Sequence, residues 1–217
     1  MRTDRSALLP GLDTKIHLNM LEGARKKRQP ERDGLYGLHW GDPESDPALM
    51  TVRDRWLLPY VRSDKVALEI GPGGGRWTRY MLAFRLLYAV DYHKELLAEL
   101  RRTFPQDNIV EIVNSGSDFP NVPTGSVDFV FSFGVFVHID APIVASYLEN
   151  LRRVVHQGTQ IVIQYPDKDK KAARDNPGFA DNNPRLMRKM VEAAGYSILE
   201  EDTALLSHSA IMRFGLA

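Results

Sequence analysis

Val66-Ala67-Leu68-Glu69-Ile70-Gly71-Pro72-Gly73-Gly74-Gly75 is a short apolar run that empties into a glycine-rich turn. Five residues that are mostly β-branched or aliphatic suit a buried strand. Glycines let the backbone turn sharply and approach a ligand with no Cβ in the way. The residues that follow, Arg76–Leu87, carry apolar side chains at helical spacing, so a helix is predicted there. Strand, glycine turn and helix together form the ligand-binding corner of an open α/β sheet, at the carboxyl end of a strand.

Downstream, strands and helices alternate. Leu87–Val90 is a second strand that ends at Asp91, and Lys94–Thr103 is helical and stops near Pro105. Ile109–Val113 is a third strand, and Val127–Phe133 is a long apolar fourth. Pro142–Val155 is helical and ends by Gly158, and Gln160–Tyr165 is a fifth strand. Pro184–Ala194 is a helix with Asn183 as its cap and Gly195 as its terminator. Strands joined through helices pair parallel with right-handed crossovers. Ser197–Glu200 and Ala210–Phe214 have no helix between them and should form an antiparallel hairpin. The prediction is a doubly wound, mostly parallel α/β sheet with a C-terminal antiparallel hairpin.

Upstream the character changes. Residues 4–28 mix apolar and charged positions in a way that suits amphipathic helical pieces. Gly34, Gly37, Gly41, Pro43 and Pro47 then punctuate a loop, with Tyr36, His39 and Trp40 inside it. Asp46-Pro47 starts a helix that runs to about Leu58, before Pro59. The chain divides into a helical N-terminal extension or lid, 1–46, and an α/β domain, 47–217.

Composition narrows the function. Lys plus Arg equals Asp plus Glu at 28 each, so no chain-wide basic field exists to attract nucleic acid. The dense run Arg25-Lys26-Lys27-Arg28 is read as a solvated helix end rather than a phosphate or membrane contact. There is no cysteine, which excludes disulfides, thiolate zinc sites and thiol nucleophiles. No signal-peptide core and no apolar run near the length of a bilayer span is present, and a cytoplasmic location is expected.

Asp91 lies near the spacing at which a nucleotide-binding strand places the acid for a ribose. A carboxylate there can accept from both ribose hydroxyls, or it can cap the next helix. The dinucleotide fingerprint needs a third glycine where Arg76 stands, so the turn departs from it. Glu69-Ile70-Gly71-Pro72-Gly73-Gly74-Gly75 resembles the first motif of class I S-adenosylmethionine-dependent methyltransferases. Val90-Asp91-Tyr92 resembles their second motif, Ser117-Asp118-Phe119 their adenine loop, and Ser126–Phe133 their fourth strand. Gly195-Tyr196 and the terminal hairpin resemble the family's ending, so the likeness covers residues 47–217.

The resemblance implies a seven-stranded sheet in the order 3-2-1-4-5-7-6 and S-adenosylmethionine as cofactor. It implies that Gly71, Gly73 and Gly75 line the methionine part of the donor and that Glu69 helps hold its amino group. Asp91 would take the ribose hydroxyls, and Tyr92 would lie against the adenine. Asp118 and the Phe119 amide would meet the adenine edge, with Ser132 and Phe133 near the sulfonium. Metal-dependent members place acidic and amide ligands after strands four and five. Tyr165-Pro166-Asp167 lacks that pair, so no metal is expected.

Methyl transfer from a sulfonium needs alignment and exclusion of water, and an oxygen nucleophile also needs a base. His138, just past the fourth strand, is the leading candidate, with His39 and His208 as alternatives. Tyr36 and Trp40 are assigned to a lid, and Tyr165 is expected to point into the cleft. The reading is a methyltransferase acting on a small-molecule oxygen or nitrogen nucleophile. The alternatives are a macromolecular acceptor, a nicotinamide-dependent oxidoreductase, and a non-catalytic nucleotide-binding protein.

Overall fold

The computed structural model describes residues 37–217, so Tyr36, Arg25–Arg28 and most of the 1–46 extension lie outside the described residues. Seven strands form one sheet: β1 Val66–Ile70, β2 Leu86–Asp91, β3 Ile109–Val113, β4 Val127–Ser132, β5 Val155–Pro166, β6 Tyr196–Asp202 and β7 Ser209–Leu216. Their order is β3-β2-β1-β4-β5-β7-β6. β1 to β5 pair parallel, whereas β7 runs antiparallel to both β5 and β6. This is the predicted doubly wound sheet with its reversed hairpin. Strand order turns back between β1 and β4, which opens a crevice at their carboxyl ends.

Strand periodicity sorts the sheet into two buried faces. Val66, Leu68 and Ile70 of β1 join Ile161, Ile163 and Tyr165 of β5 on one face. Helices α3 (Ala141–Val154) and α5 (Pro184–Ala193) cover that face, with the one-turn α4 (Lys171–Arg174) between them in the chain. Ala67 of β1, Phe129 and Phe131 of β4 and Val162 of β5 lie on the other. There they meet Leu49, Val52, Trp56 and Leu57, and Leu97 and Leu100 of α2 (Lys94–Thr103). The first group belongs to α1 (Pro47–Thr51) and the wider helical turn Val52–Leu57 that continues it. Asp46 caps α1 by accepting from the Ala48 and Leu49 amides at 2.9 and 3.1 Å. The Asn183 side chain caps α5 by accepting from Leu186 N at 3.0 Å, and Gly195 past its end has φ +77°.

Two expectations fail locally. No α-helix follows the glycine turn: residues 76–85 wind as successive tight turns, with only Thr78–Tyr80 completing a 3₁₀ turn. One bond closes in the α manner, Arg79 N to Gly75 O, and the next fall to residues three back, Tyr80 N to Trp77 O and Met81 N to Thr78 O. The cause is that Arg76, Trp77 and Thr78 are all buried in succession. A helix lying on a sheet turns about 100° per residue and cannot aim three neighbours inward. The second failure is at Gly158, which does not end a helix. α3 passes directly into β5 at Val155, which pairs with Val127. Thr159 Oγ1 donates to Val127 O at 2.6 Å, where the β4–β5 register shifts.

Candidate active site

The crevice contains a cavity of about 460 Å³. Gly71 and Gly73 of the glycine turn form one wall, Asp91 and Tyr92 at the end of β2 another, and Phe133 to Val135 after β4 a third. His138, Gln164, Phe179, Leu206 and His208 also line it, as do Gly37 and Trp40. Gly71, Gly73, Asp91, Tyr92, Phe133, His138, Trp40 and His208 of the predicted residues are therefore brought together. His39 falls in the 3₁₀ turn Leu38–Trp40 beside the cavity.

Asp91 is buried at the head of β2, and its Oδ1 accepts from the His93 amide at 2.8 Å. Burial pushes its pKa up to about 6, against backbone amide bonds from His93, Gly73 and Tyr92 that favour the charge. His93 occupies the N-cap position of α2 without a side-chain cap bond, and the Asp91 carboxylate accepts from the His93 amide just ahead of the helix. Glu69 points to the opposite side of β1 from the core leucine and accepts from Thr78 Oγ1 at 2.6 Å. Burial raises its pKa to about 7, and the Asp91 charge adds to the rise. Glu69 thus sits beneath the glycine turn, outside the cavity lining.

Several other predicted residues stand back from the cavity. A Cβ on Gly75 would lie 2.2 Å from Phe104 Cε2, so this glycine serves the approach of the turn to α2. Ser132 Oγ donates to Ile70 O at 2.9 Å, tying β4 to β1. The Asp118 carboxylate accepts from Ser115 N at 2.6 Å and closes its own loop, and Phe119 is buried against Tyr147. Tyr165 is a correction. It is fully buried and donates to Glu201, on the face away from the cavity. Its neighbour Gln164 takes the cavity position, accepting from the Gly134 amide and donating to Ser209 Oγ, each at 2.7 Å. Adjacent strand residues face opposite ways.

His138 ends the 3₁₀ turn Phe136–His138, with Nδ1 2.7 Å from Gly178 O. A carbonyl only accepts, so Nδ1 carries the proton and Nε2 is the acceptor atom of the ring. Its edge meets Phe179 at 5.4 Å, and Phe179 meets His208 at 5.2 Å, both nearly perpendicular. Burial lowers both histidine pKa values, and for His208 the nearby Lys170 charge lowers it further. Both rings are therefore neutral near pH 7, the state a proton acceptor needs.

Arg76, Gln164 and Phe179 were not predicted as cavity residues. Arg76 was legible only as the residue that breaks the dinucleotide fingerprint. Strand parity counted from the apolar pattern of β5 would have found Gln164. Phe179 sits in a loop with no periodic signal. Among the described residues, no group of three or more His, Asp and Glu side chains could hold a metal, and no helix is long and apolar enough to cross a membrane.

Residues 68–163 match the family model described as a methyltransferase domain. No curated protein matches the chain in sequence. Among solved structures, an S-adenosylmethionine dependent methyltransferase from Mesorhizobium loti superposes with TM-score 0.65 at 13% identity, covering 79% of this chain and 99% of that one. The DhpI–SAH complex gives TM-score 0.62 at 21% identity, over 79% and 85%. A SAM dependent methyltransferase from Aquifex aeolicus gives TM-score 0.59 at 17% identity, over 79% and 94%. At these identities the likeness to the solved structures is one of fold.

Proposed function

We propose that this chain, whose residues 68–163 match the methyltransferase-domain model and whose fold is shared with S-adenosylmethionine-dependent methyltransferases, is a class I S-adenosylmethionine-dependent methyltransferase that methylates a small-molecule acceptor at oxygen or nitrogen. One observation carries the reading. The glycine turn, the Asp91 carboxylate, His138, Phe179 and His208 line one cavity. Donor-holding groups and a neutral base thus face one enclosed space, whose size is that of a small-ligand pocket.

The residues present fit the donor. Gly71 has φ +69° and Gly73 φ +57°, so the backbone itself forms the wall there. Asp91 is a buried carboxylate that lines the cavity, suited to accept from the ribose hydroxyls. When bound, S-adenosylmethionine supplies a methyl group already activated on a sulfonium. Gly71 and Gly73 would border its methionine end, Asp91 would take the ribose hydroxyls, and the Tyr92 ring would lie against the adenine. Phe133 and Val135 keep water from the reacting end. His138 Nε2 receives the acceptor's proton, with Gly178 holding the ring in the required tautomer.

Calorimetric titration with S-adenosylmethionine and, separately, with NAD tests the premise. Micromolar binding of the first and none of the second is the expected result. The reverse would mean a nicotinamide enzyme, and binding of neither would leave a protein that keeps the fold without its ligand. Once an acceptor is found by screening hydroxylated and amine metabolites, His138→Ala should lower kcat about 100-fold. Donor affinity should stay within about twofold, since the role assigned to His138 is toward the acceptor's proton and not toward the donor. Equal kcat would make His138 a packing residue between Gly178 and Phe179.

A further inference from the structure

Trp40, Phe179, Leu206, His138 and His208 line the cavity and hold no part of the donor in the assignment above. Trp40 is 49% exposed, so much of its indole is left for a bound molecule to cover. Phe179 is held between the two histidine rings, 5.4 Å from His138 and 5.2 Å from His208. The next residue anchors the backbone, Ala180 N donating to Val137 O at 2.8 Å. Phe133, assigned to the reacting end, is fixed against Trp77 with ring centroids 4.8 Å apart. The cavity therefore offers a preformed aromatic surface beside two imidazoles.

The charge around that surface is neutral to positive. Among the described residues that line the cavity, Asp91 is the one carboxylate, and the donor's ribose is assigned to it. Arg76 also lines the cavity, its guanidinium carbon 5.6 Å from the Phe133 ring. Lys170 Nζ donates to Leu206 O at 2.7 Å and to Ser209 O at 2.8 Å, bracketing His208. Asp167 lies 3.7 Å from that ammonium and is buried outside the cavity lining. An ammonium acceptor would meet no carboxylate there, with Arg76 and Lys170 nearby, and would be costly to bury. A neutral hydroxyl meets no such penalty, and His138 Nε2 can accept its proton. An imidazole whose pKa is lowered is a weak base. It suits a phenolic hydroxyl, which titrates near about 10, far better than an aliphatic one, which is closer to water at about 15.7.

Resting on the methyltransferase reading above, we propose that the acceptor is a phenol with no ammonium group, whose ring lies against Phe179 and Trp40 and whose hydroxyl meets His138. The hydroxyl oxygen bonds to the methyl carbon as the carbon–sulfur bond breaks. The electron pair of that bond stays on sulfur, and the hydroxyl proton passes to His138 Nε2, which releases it to water. The test titrates the full chain, saturated with S-adenosylhomocysteine, with 4-ethylphenol, 4-ethylcyclohexanol and 4-ethylbenzylamine. These share a size but differ in flatness, acidity and charge. The phenol should bind about 10-fold more tightly than the cyclohexanol, which lacks the ring contacts, and at least about 10-fold more tightly than the amine. With S-adenosylmethionine labelled in its methyl group, label should enter the phenol and neither of the others.

Phe179→Leu keeps apolar bulk and removes the ring. It should cost 4-ethylphenol about 2- to 10-fold and leave 4-ethylcyclohexanol unchanged. Should that variant fail to fold, Trp40→Leu replaces it, since Trp40 is half exposed. The proposal is overturned if the amine or the cyclohexanol binds as tightly as the phenol, if label enters either of them in preference, or if none of the probes binds at millimolar concentration. Equal losses for phenol and cyclohexanol in the variant would likewise remove the aromatic contact on which it stands. If the chain binds no S-adenosylhomocysteine, the donor reading fails, and the same titrations without it still judge the aromatic surface by itself.

Discussion

Asp91→Ala is expected to weaken S-adenosylmethionine binding by about 100- to 10,000-fold, because two hydrogen bonds to a charged acceptor are lost, each about 1.5–3 kcal/mol. The fold should tolerate the change. Asp91 has its pKa raised by burial from 3.8 to about 6, so its charge opposes folding near neutral pH. Glu69 behaves alike, raised from 4.5 to about 7. For both groups the folded protein binds more protons than the unfolded chain between the two pKa values, so stability falls as pH rises through that window. The thermal midpoint of the wild type, as far as these two groups set it, should rise between about pH 8 and about pH 5. In Asp91→Ala the rise should be shallower.

Donor affinity should move the other way. A protonated carboxyl no longer accepts from both hydroxyls. Wild-type affinity should therefore hold above about pH 6 and fall by up to about tenfold per unit below it. Binding would then take place with release of a proton in that range. Calorimetry from pH 5 to pH 8 in buffers of different ionisation heat reads both quantities. Affinity independent of pH, or equal in Asp91→Ala, would remove Asp91 from the donor site.

The strands, their order and the corner of the site were legible because each rests on a repeated signal. Apolar period, glycines and caps all agree at β1, β2 and β4. What escaped depends on packing between distant segments. The run Arg76-Trp77-Thr78 has helical spacing with Met81 and Phe84, yet all three of its members are drawn inward, by the cavity, the β4 aromatics and Glu69. No local pattern announces those three demands together. Gly75 looks equivalent to Gly71 and Gly73 in sequence, but Phe104 and not a ligand presses on it. Tyr165 and Gln164 differ by one position, and parity alone decides which enters the cavity. Asp118 turns to Ser115, a contact within its own loop that a motif cannot foretell.

Gly71→Ala is expected to damage both the fold and the donor site. Gly71 sits at φ +69° with its amide donating to Val90 O at 2.8 Å, so the backbone cannot relax without releasing β2. Alanine in that left-handed region costs about 1–2 kcal/mol. The new Cβ would also lie 2.2 Å from Val135 Cγ2, with the valine side chain belonging to the loop that leads to His138. Moving Val135 aside should cost a further 1–3 kcal/mol or about that. The sum predicts a lower unfolding midpoint in denaturant and loss of donor binding by more than about 100-fold. The two causes can be separated. Val135→Ala removes the clashing methyl, so Gly71→Ala/Val135→Ala should recover most of the crowding cost but none of the backbone cost. The double mutant should therefore be more stable than the sum of the singles allows, by about 1 kcal/mol or more. Strict additivity would place the whole effect in the backbone. A single mutant that bound the donor as the wild type does would show that the turn has room for a side chain, and the close approach assigned to Gly71 would be wrong.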